Sequence, residues 1–128
     1  MSGNLGFNTS MPITQSYASS LPVERGIDGR LYMKVDINGK SVRVIVDTAA
    51  SHSVLRSEDA RLAEVMITGE TRLRTAGGSV GAREGHVNSL LVAGTHFENH
   101  RVLIAEHLPI SLLGMDVLQT LKGTTITL

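Results

Sequence analysis

The residues with chemistry to offer gather at the end of one apolar run. In "VRVIVDTAASHSVL" (42–55), Val42, Val44 and Val46 alternate with Arg43 and Ile45, and the run ends on Asp47. Thr48, Ala49, Ala50 and Ser51 follow, small enough for a second backbone or a substrate to come close. A buried carboxylate left unpaired is costly, so Asp47 is expected to be paired, hydrogen-bonded or chemically active. A strand-end aspartate also commonly caps the turn that follows it, and the loop alone leaves both readings open. His52, just past this loop, reads as an exposed loop histidine.

Three other patterns carry less. "HFENH" sets His96, Glu98 and His100 on one face of a strand, where they would suit a metal. The zinc-helix motif needs Glu directly after its first His, and Phe97 stands there. A solvated strand face is therefore expected, and no metal. "GGSVGAREG" lacks the Gly-Lys-Ser/Thr ending of a phosphate loop. "AASHS" lacks the Gly-x-Ser-x-Gly elbow of serine hydrolases.

The elements that must position Asp47 are short strands. Leu31, Met33, Val35 and Ile37 fall on one face, with Tyr32, Lys34 and Asp36 on the other. Asn38-Gly39 is a strong hairpin signal, because a type I′ turn needs positive φ at both central residues. It returns the chain along Val42, Val44 and Val46. Ser57 to Val65 is expected to be a short helix capped by Ser57. Strands are expected at 71–75 and 80–87 around "AGGS", then at 89–92 and 97–105 around "AGT". "SLLGMDVLQTL" (111–121) is expected to be helical over its second half, its apolar stripe (Leu112, Leu113, Met115, Leu118, Leu121) going to the core. "TTITL" reads as a closing strand. "VRVIVDTAAS" and "HRVLIAEHLPISLLG" echo each other faintly, each an Arg-Val-apolar strand running into a loop with a helix candidate beyond. The whole is mainly β.

The chain has 128 residues, one domain's worth. Residues 1–25 mix small, polar and scattered apolar residues without period and read as a flexible N-terminal arm or linker; residues 26–128 read as the domain. Charge is balanced, 12 basic against 12 acidic with no long run of either, which argues against nucleic acid and a polybasic membrane patch. Without cysteine there is neither a disulfide nor a thiolate site, and redox gives no compartment. No apolar run approaches the roughly 20 residues of a membrane span. The N-terminus lacks a signal-peptide pattern, so the expected location is cytoplasmic, or periplasmic had an N-terminal anchor been removed.

Three motifs, in order, resemble one family. "VDTAAS" after a hydrophobic strand resembles the Asp-Thr-Gly-Ala-Ser signature of retropepsin-like aspartic proteases. "RTAGGSVGAREGHVNSLLVAG" is similar to the family's flap hairpin and the strand after it, and "SLLGMDVLQTL" to its Leu-Leu-Gly-Met motif and terminal helix. The stretch "DGRLYMKVDINGKSVRVIVDTAASHSVL" resembles the bacterial branch. The likeness runs from about Gly29 to Leu128.

The resemblance implies a closed, barrel-like acid-protease fold with one lobe per chain and a short C-terminal helix. It implies an aspartic endopeptidase with Asp47 catalytic and no cofactor. One aspartate loop per chain implies a homodimer acting on a peptide or protein substrate. Thr48 resembles the residue that clasps its partner-chain equivalent. Ala49, Ala50 and Ser51 complete the substrate-facing loop. Ala76, Gly77 and Gly78 resemble the flap tip. Gly114 resembles the tight contact behind the loop, and Asp116 a position that helps hold the dimer. Ala49 departs from the family's Gly, and its methyl narrows the cleft, or strains the turn if φ there is positive. A peptide-binding or dimerisation module that kept the fold and lost catalysis is the rival expectation. A metal- or ligand-binding β domain built on the histidines is the second.

Overall fold

The computed structural model describes residues 19–121 and 124–126. Its strands are β1 (Ser19–Leu21), β2 (Glu24–Arg25), β3 (Leu31–Ile37), β4 (Lys40–Val46), β5 (Val54–Arg56), β6 (Met66–Thr75), β7 (Gly78–Val92), β8 (Thr95–Ala105), β9 (Ser111–Leu113) and β10 (Thr124–Ile126). Two short helices, α1 (Ser57–Leu62) and α2 (Met115–Leu118), follow β5 and β9. The main sheet runs β2-β3-β4-β9-β5-β8-β7-β6, and a further β3–β7 pairing closes its middle into a barrel. β10 pairs in parallel with β1 in a separate two-stranded sheet. Among the described residues no helix is long and apolar enough to cross a membrane.

Two-residue turns build the hairpins. Asn38 and Gly39 take φ of 51° and 85°, as the type I′ reading requires. Asn38 does more than turn: its Nδ2 donates to the Ala63 carbonyl at 2.9 Å, and its Oδ1 accepts from the Ser89 amide at 3.0 Å. Ala93 and Gly94 adopt the same pair of positive φ values between β7 and β8.

Period-two burial holds along β3, where Met33, Val35 and Ile37 are buried and Lys34 is exposed. It fails at the end of β4, where Val44, Ile45 and Val46 are all buried. That end is flanked by β3 and β9 and covered on both faces. The main core takes Leu55 of β5, Val102 and Ile104 of β8 and Leu113 of β9. Their neighbours Val54 and Leu103 face the other way into a smaller cluster with Ala105, joined by Leu73, Leu108 and Leu112. Each well-buried aliphatic side chain contributes about 1.5–3 kcal/mol.

Three expectations need correction. Residues 19–25 are not a loose arm: they form β1 and β2, held by pairing with β10 and β3. The rest of the expected arm, residues 1–18, lies outside the described residues. The strands expected at 80–87 and 89–92 are one, β7, whose flap half is exposed and whose barrel half is buried, so its pattern changes midway. Ser57 does not cap α1. Arg56 occupies that position, and Ser57 Oγ turns instead to the Ala105 carbonyl and Glu106.

Candidate active site

Asp47 leaves the barrel at the end of β4, half-buried, while Thr48 and Ala49 are exposed. Its amide donates to the Leu113 carbonyl at 3.0 Å, extending the parallel β4–β9 ladder by one bond. Its Oδ1 accepts from the Ala49 amide at 3.0 Å, and its carbonyl accepts from the Ala50 amide at 3.2 Å. One carboxylate oxygen thus shapes the turn and the group still faces outward. Ala49 is not among the positive-φ residues, so its methyl puts no left-handed strain into the loop.

The loop is held from behind. The Met115 amide donates to the Ala50 carbonyl at 2.8 Å. Gly114 packs so tightly that a Cβ there would lie 2.6 Å from the His52 carbonyl oxygen and 2.8 Å from that of Ala50. His52 itself is exposed.

Behind the loop lies a polar cluster that the sequence did not announce. Buried Ser53 accepts from the Gly114 amide at 3.0 Å and donates to Asp116 Oδ1 at 2.8 Å. Asp116 Oδ2 meets His100 Nε2 at 2.9 Å. Partial burial pushes the Asp116 carboxyl up, but hydrogen bonds from His100 and Ser53 outweigh it and hold the group below the usual carboxylate range. The order is serine to aspartate to histidine, with no imidazole on the hydroxyl, so no serine nucleophile is assembled here.

A second cluster repeats the first. Buried Ser111 accepts from the Arg56 amide at 3.0 Å and donates to Asp59 Oδ2 at 2.7 Å, and Arg56 Nε donates to the same oxygen at 3.0 Å. β4, the Asp47 loop, β5 and α1 therefore correspond to β8, its loop, β9 and α2. Each half lends its strand to the other: β4 pairs in parallel with β9, and β8 with β5. The faint echo in the sequence was the trace of this duplication. Continued one step, it aligns "SVL" (53–55) with "SLL" (111–113) and would have found both serines.

A cavity of about 580 Å³ opens beside Asp47. Leu31, Ile45, Leu108, Ile110 and Leu112 give it an aliphatic lining, and Arg30 adds a cation. Leu73 of β6 packs on the cluster that holds Leu108 and Leu112, which sets the β6–β7 hairpin over this side of the barrel. At its tip Ala76 and Gly77 form the turn, and Gly78 takes φ 124°, a conformation other residues rarely adopt. The histidines do not converge. His96 meets Ser89 at 2.9 Å and His100 turns to Asp116, and among the described residues no three metal-ligand side chains gather.

The family model described as "gag-polyprotein putative aspartyl protease" matches residues 33–120, which include the Asp47 loop, the hairpin and Gly114. The chain belongs to the retropepsin-like aspartic protease family. It is similar to a retropepsin-like aspartic protease from Rickettsia conorii, with 31% identity, a TM-score of 0.63, and 77% of this chain and 75% of that one covered. It is also similar to the EIAV protease solved with the inhibitor HBY-793, at 29% identity and a TM-score of 0.68, covering 83% of this chain and 100% of the other. An uncharacterised Rickettsia prowazekii protein, RP867, is 33% identical over 108 residues, 81% of this chain and 46% of the relative. The chain thus spans about half the length of that curated relative.

Proposed function

We propose that this chain is an aspartic endopeptidase that works as a homodimer, with Asp47 of each copy facing the other. The observation that carries this reading is the braced, outward-facing Asp47 beside an aliphatic cavity, in a chain of the aspartic protease family. Two close carboxylates cannot both ionise easily, so the pair holds one proton and titrates as a unit. The ionised member takes a proton from water as the water oxygen attacks the peptide carbonyl carbon. The protonated member donates to the carbonyl oxygen. The tetrahedral intermediate then collapses and the C–N bond breaks: the departing nitrogen takes the dyad's proton, and a hydroxyl of the intermediate returns one to the dyad, restoring its single proton. No step calls for a metal or an organic cofactor.

The neighbouring residues take roles in keeping with this chemistry. Thr48 braces the loop against its partner-chain counterpart, and the Ala49 carbonyl accepts a hydrogen bond from the substrate backbone. Ala50 and Ser51 continue the substrate-facing loop. Ala76, Gly77 and Gly78 close over an extended peptide. The aliphatic cavity receives a side chain next to the scissile bond.

The test is hydrolysis of a peptide library by wild type and by Asp47→Asn. Wild type should cleave with a bell-shaped pH profile on the acid side of neutrality, and Asp47→Asn should not cleave. Specific activity should fall on dilution, and excess Asp47→Asn should poison wild type by forming mixed dimers. Equal cleavage by both proteins, or activity proportional to concentration from a demonstrated monomer, would overturn the reading.

A further inference from the structure

The two halves of the barrel share one device with one difference. In each, a buried serine where the loop meets the following strand donates to an aspartate of the opposite half: Ser53 to Asp116, and Ser111 to Asp59. In each, the aspartate also meets a basic side chain. Asp59 meets Arg56, a guanidinium charged at any working pH. Asp116 meets His100, an imidazole, the side chain whose charge ordinarily changes between about pH 5 and 8. The half braced by the imidazole is the half that carries Asp47.

We propose that His100 is a positioning residue for the Asp47 loop, acting through Asp116 and Ser53. This rests on the protease reading for its catalytic consequence, though not for the brace itself. Ser53 ends the loop, and its hydroxyl accepts from the Gly114 amide while donating to Asp116. Gly114 presses on the Ala50 and His52 carbonyls, and the next amide, Met115, donates to Ala50. Ala50 in turn donates to the Asp47 carbonyl. Four hydrogen bonds and one close packing contact thus link the imidazole to the backbone of Asp47.

The surroundings of His100 leave Asp116 as its charged partner. Across the sheet it faces Val87 of β7, and along its own strand the Phe97 ring meets it edge-on. Glu98, two residues back, leans toward His96, and Arg101 pairs with Glu84. A charged imidazole makes a charge-assisted bond to Asp116; a neutral one bearing its proton on Nε2 keeps a weaker bond.

Amide hydrogen exchange and peptide hydrolysis test this on the full chain. His100→Ala should speed exchange at Ala50, Gly114 and Met115 by about tenfold or more and leave Leu73 and Val80 unchanged. His100→Gln, whose side-chain amide can donate to Asp116 in place of the imidazole, should restore most of the protection. In hydrolysis, His100→Ala should lower kcat by roughly tenfold to a hundredfold with little change in KM. Equal loss of protection across the whole barrel would overturn the proposal, as would unchanged exchange at the three amides. An inactive wild type would sink the protease reading alone, since the exchange result decides the brace without it.

Discussion

Ala49 stands in the Asp47 loop where the family signature has Gly. A methyl there was expected to narrow the cleft or to strain the turn. The methyl adds no left-handed strain, because Ala49 does not take a positive φ. Its amide donates to Asp47 Oδ1, a bond that either residue makes equally well. Ala49→Gly should therefore relieve nothing in the backbone and should loosen the unfolded chain, lowering stability by about 0.4–1 kcal/mol. Thermal melting checks this, and a variant that melts higher than wild type would show hidden strain. Turnover should change by less than tenfold, the equivalent of about 1.4 kcal/mol in barrier; a larger gain would make the methyl the obstacle in the cleft. Asp47 was legible because an apolar strand cannot deliver a carboxylate into a small-residue turn unnoticed. Ser53, Asp59, His100 and Ser111 were not, since each looks like an ordinary polar residue until the halves meet. Their signal is long-range: 63 positions separate Ser53 from Asp116.

The hairpins show what local sequence can and cannot announce at the scale of elements. Asn38-Gly39 announced its turn because those two residue types accept positive φ cheaply. Ala93-Gly94 makes the same turn with φ 49° at an alanine, a conformation that costs about 1–2 kcal/mol for a residue with an ordinary Cβ. Ala93→Asn should therefore stabilise the protein by about 0.5–1 kcal/mol and raise Tm by a few degrees. Ala93 is exposed, so the larger side chain meets no wall. A lower Tm would mean that the alanine serves a contact outside the turn. β7 was harder to read, because a strand that is flap at one end and barrel at the other has two burial patterns. β1 and β2, of three residues and two, are too short to carry any period.

For the whole molecule, the Ser–Asp bridges tie one half-barrel to the other, so their titration bears on global stability. Partial burial raises the Asp116 carboxyl, and its bonds to His100 and Ser53 lower it by more. A carboxyl lowered on folding contributes stability that is complete above its unfolded value, about 3.9, and that is lost as pH falls through the lower folded value. Wild type should then lose Tm as the pH drops below about 4. Asp116→Asn should start lower, having given up the charged partner of His100, and should show a shallower decline over the same range. Parallel declines in the two proteins would place the acid limit elsewhere. The mainly β class was legible from alternation and turn residues, and the closed barrel from the family resemblance. The exchange of strands between halves was not, because nothing local in β4 says that its partner is β9.

That exchange also sets the order of events when the chain folds. β6, β7 and β8 are joined by two-residue turns, and their contacts are local. The ladder that holds Asp47 is parallel and joins Val44–Val46 to Ser111–Leu113, so its loop-closure entropy must be overcome before any bond returns it. In pulse-labelled refolding, amides of β7 and β8 should gain protection before those of Asp47 and Ala50; the reverse order would refute this. During synthesis the Asp47 loop can form only after Leu113 has left the ribosome. A nascent chain would thus carry Asp47 without a frame to hold it until Leu113 has emerged, and under the proposed protease reading hydrolysis would be withheld until then.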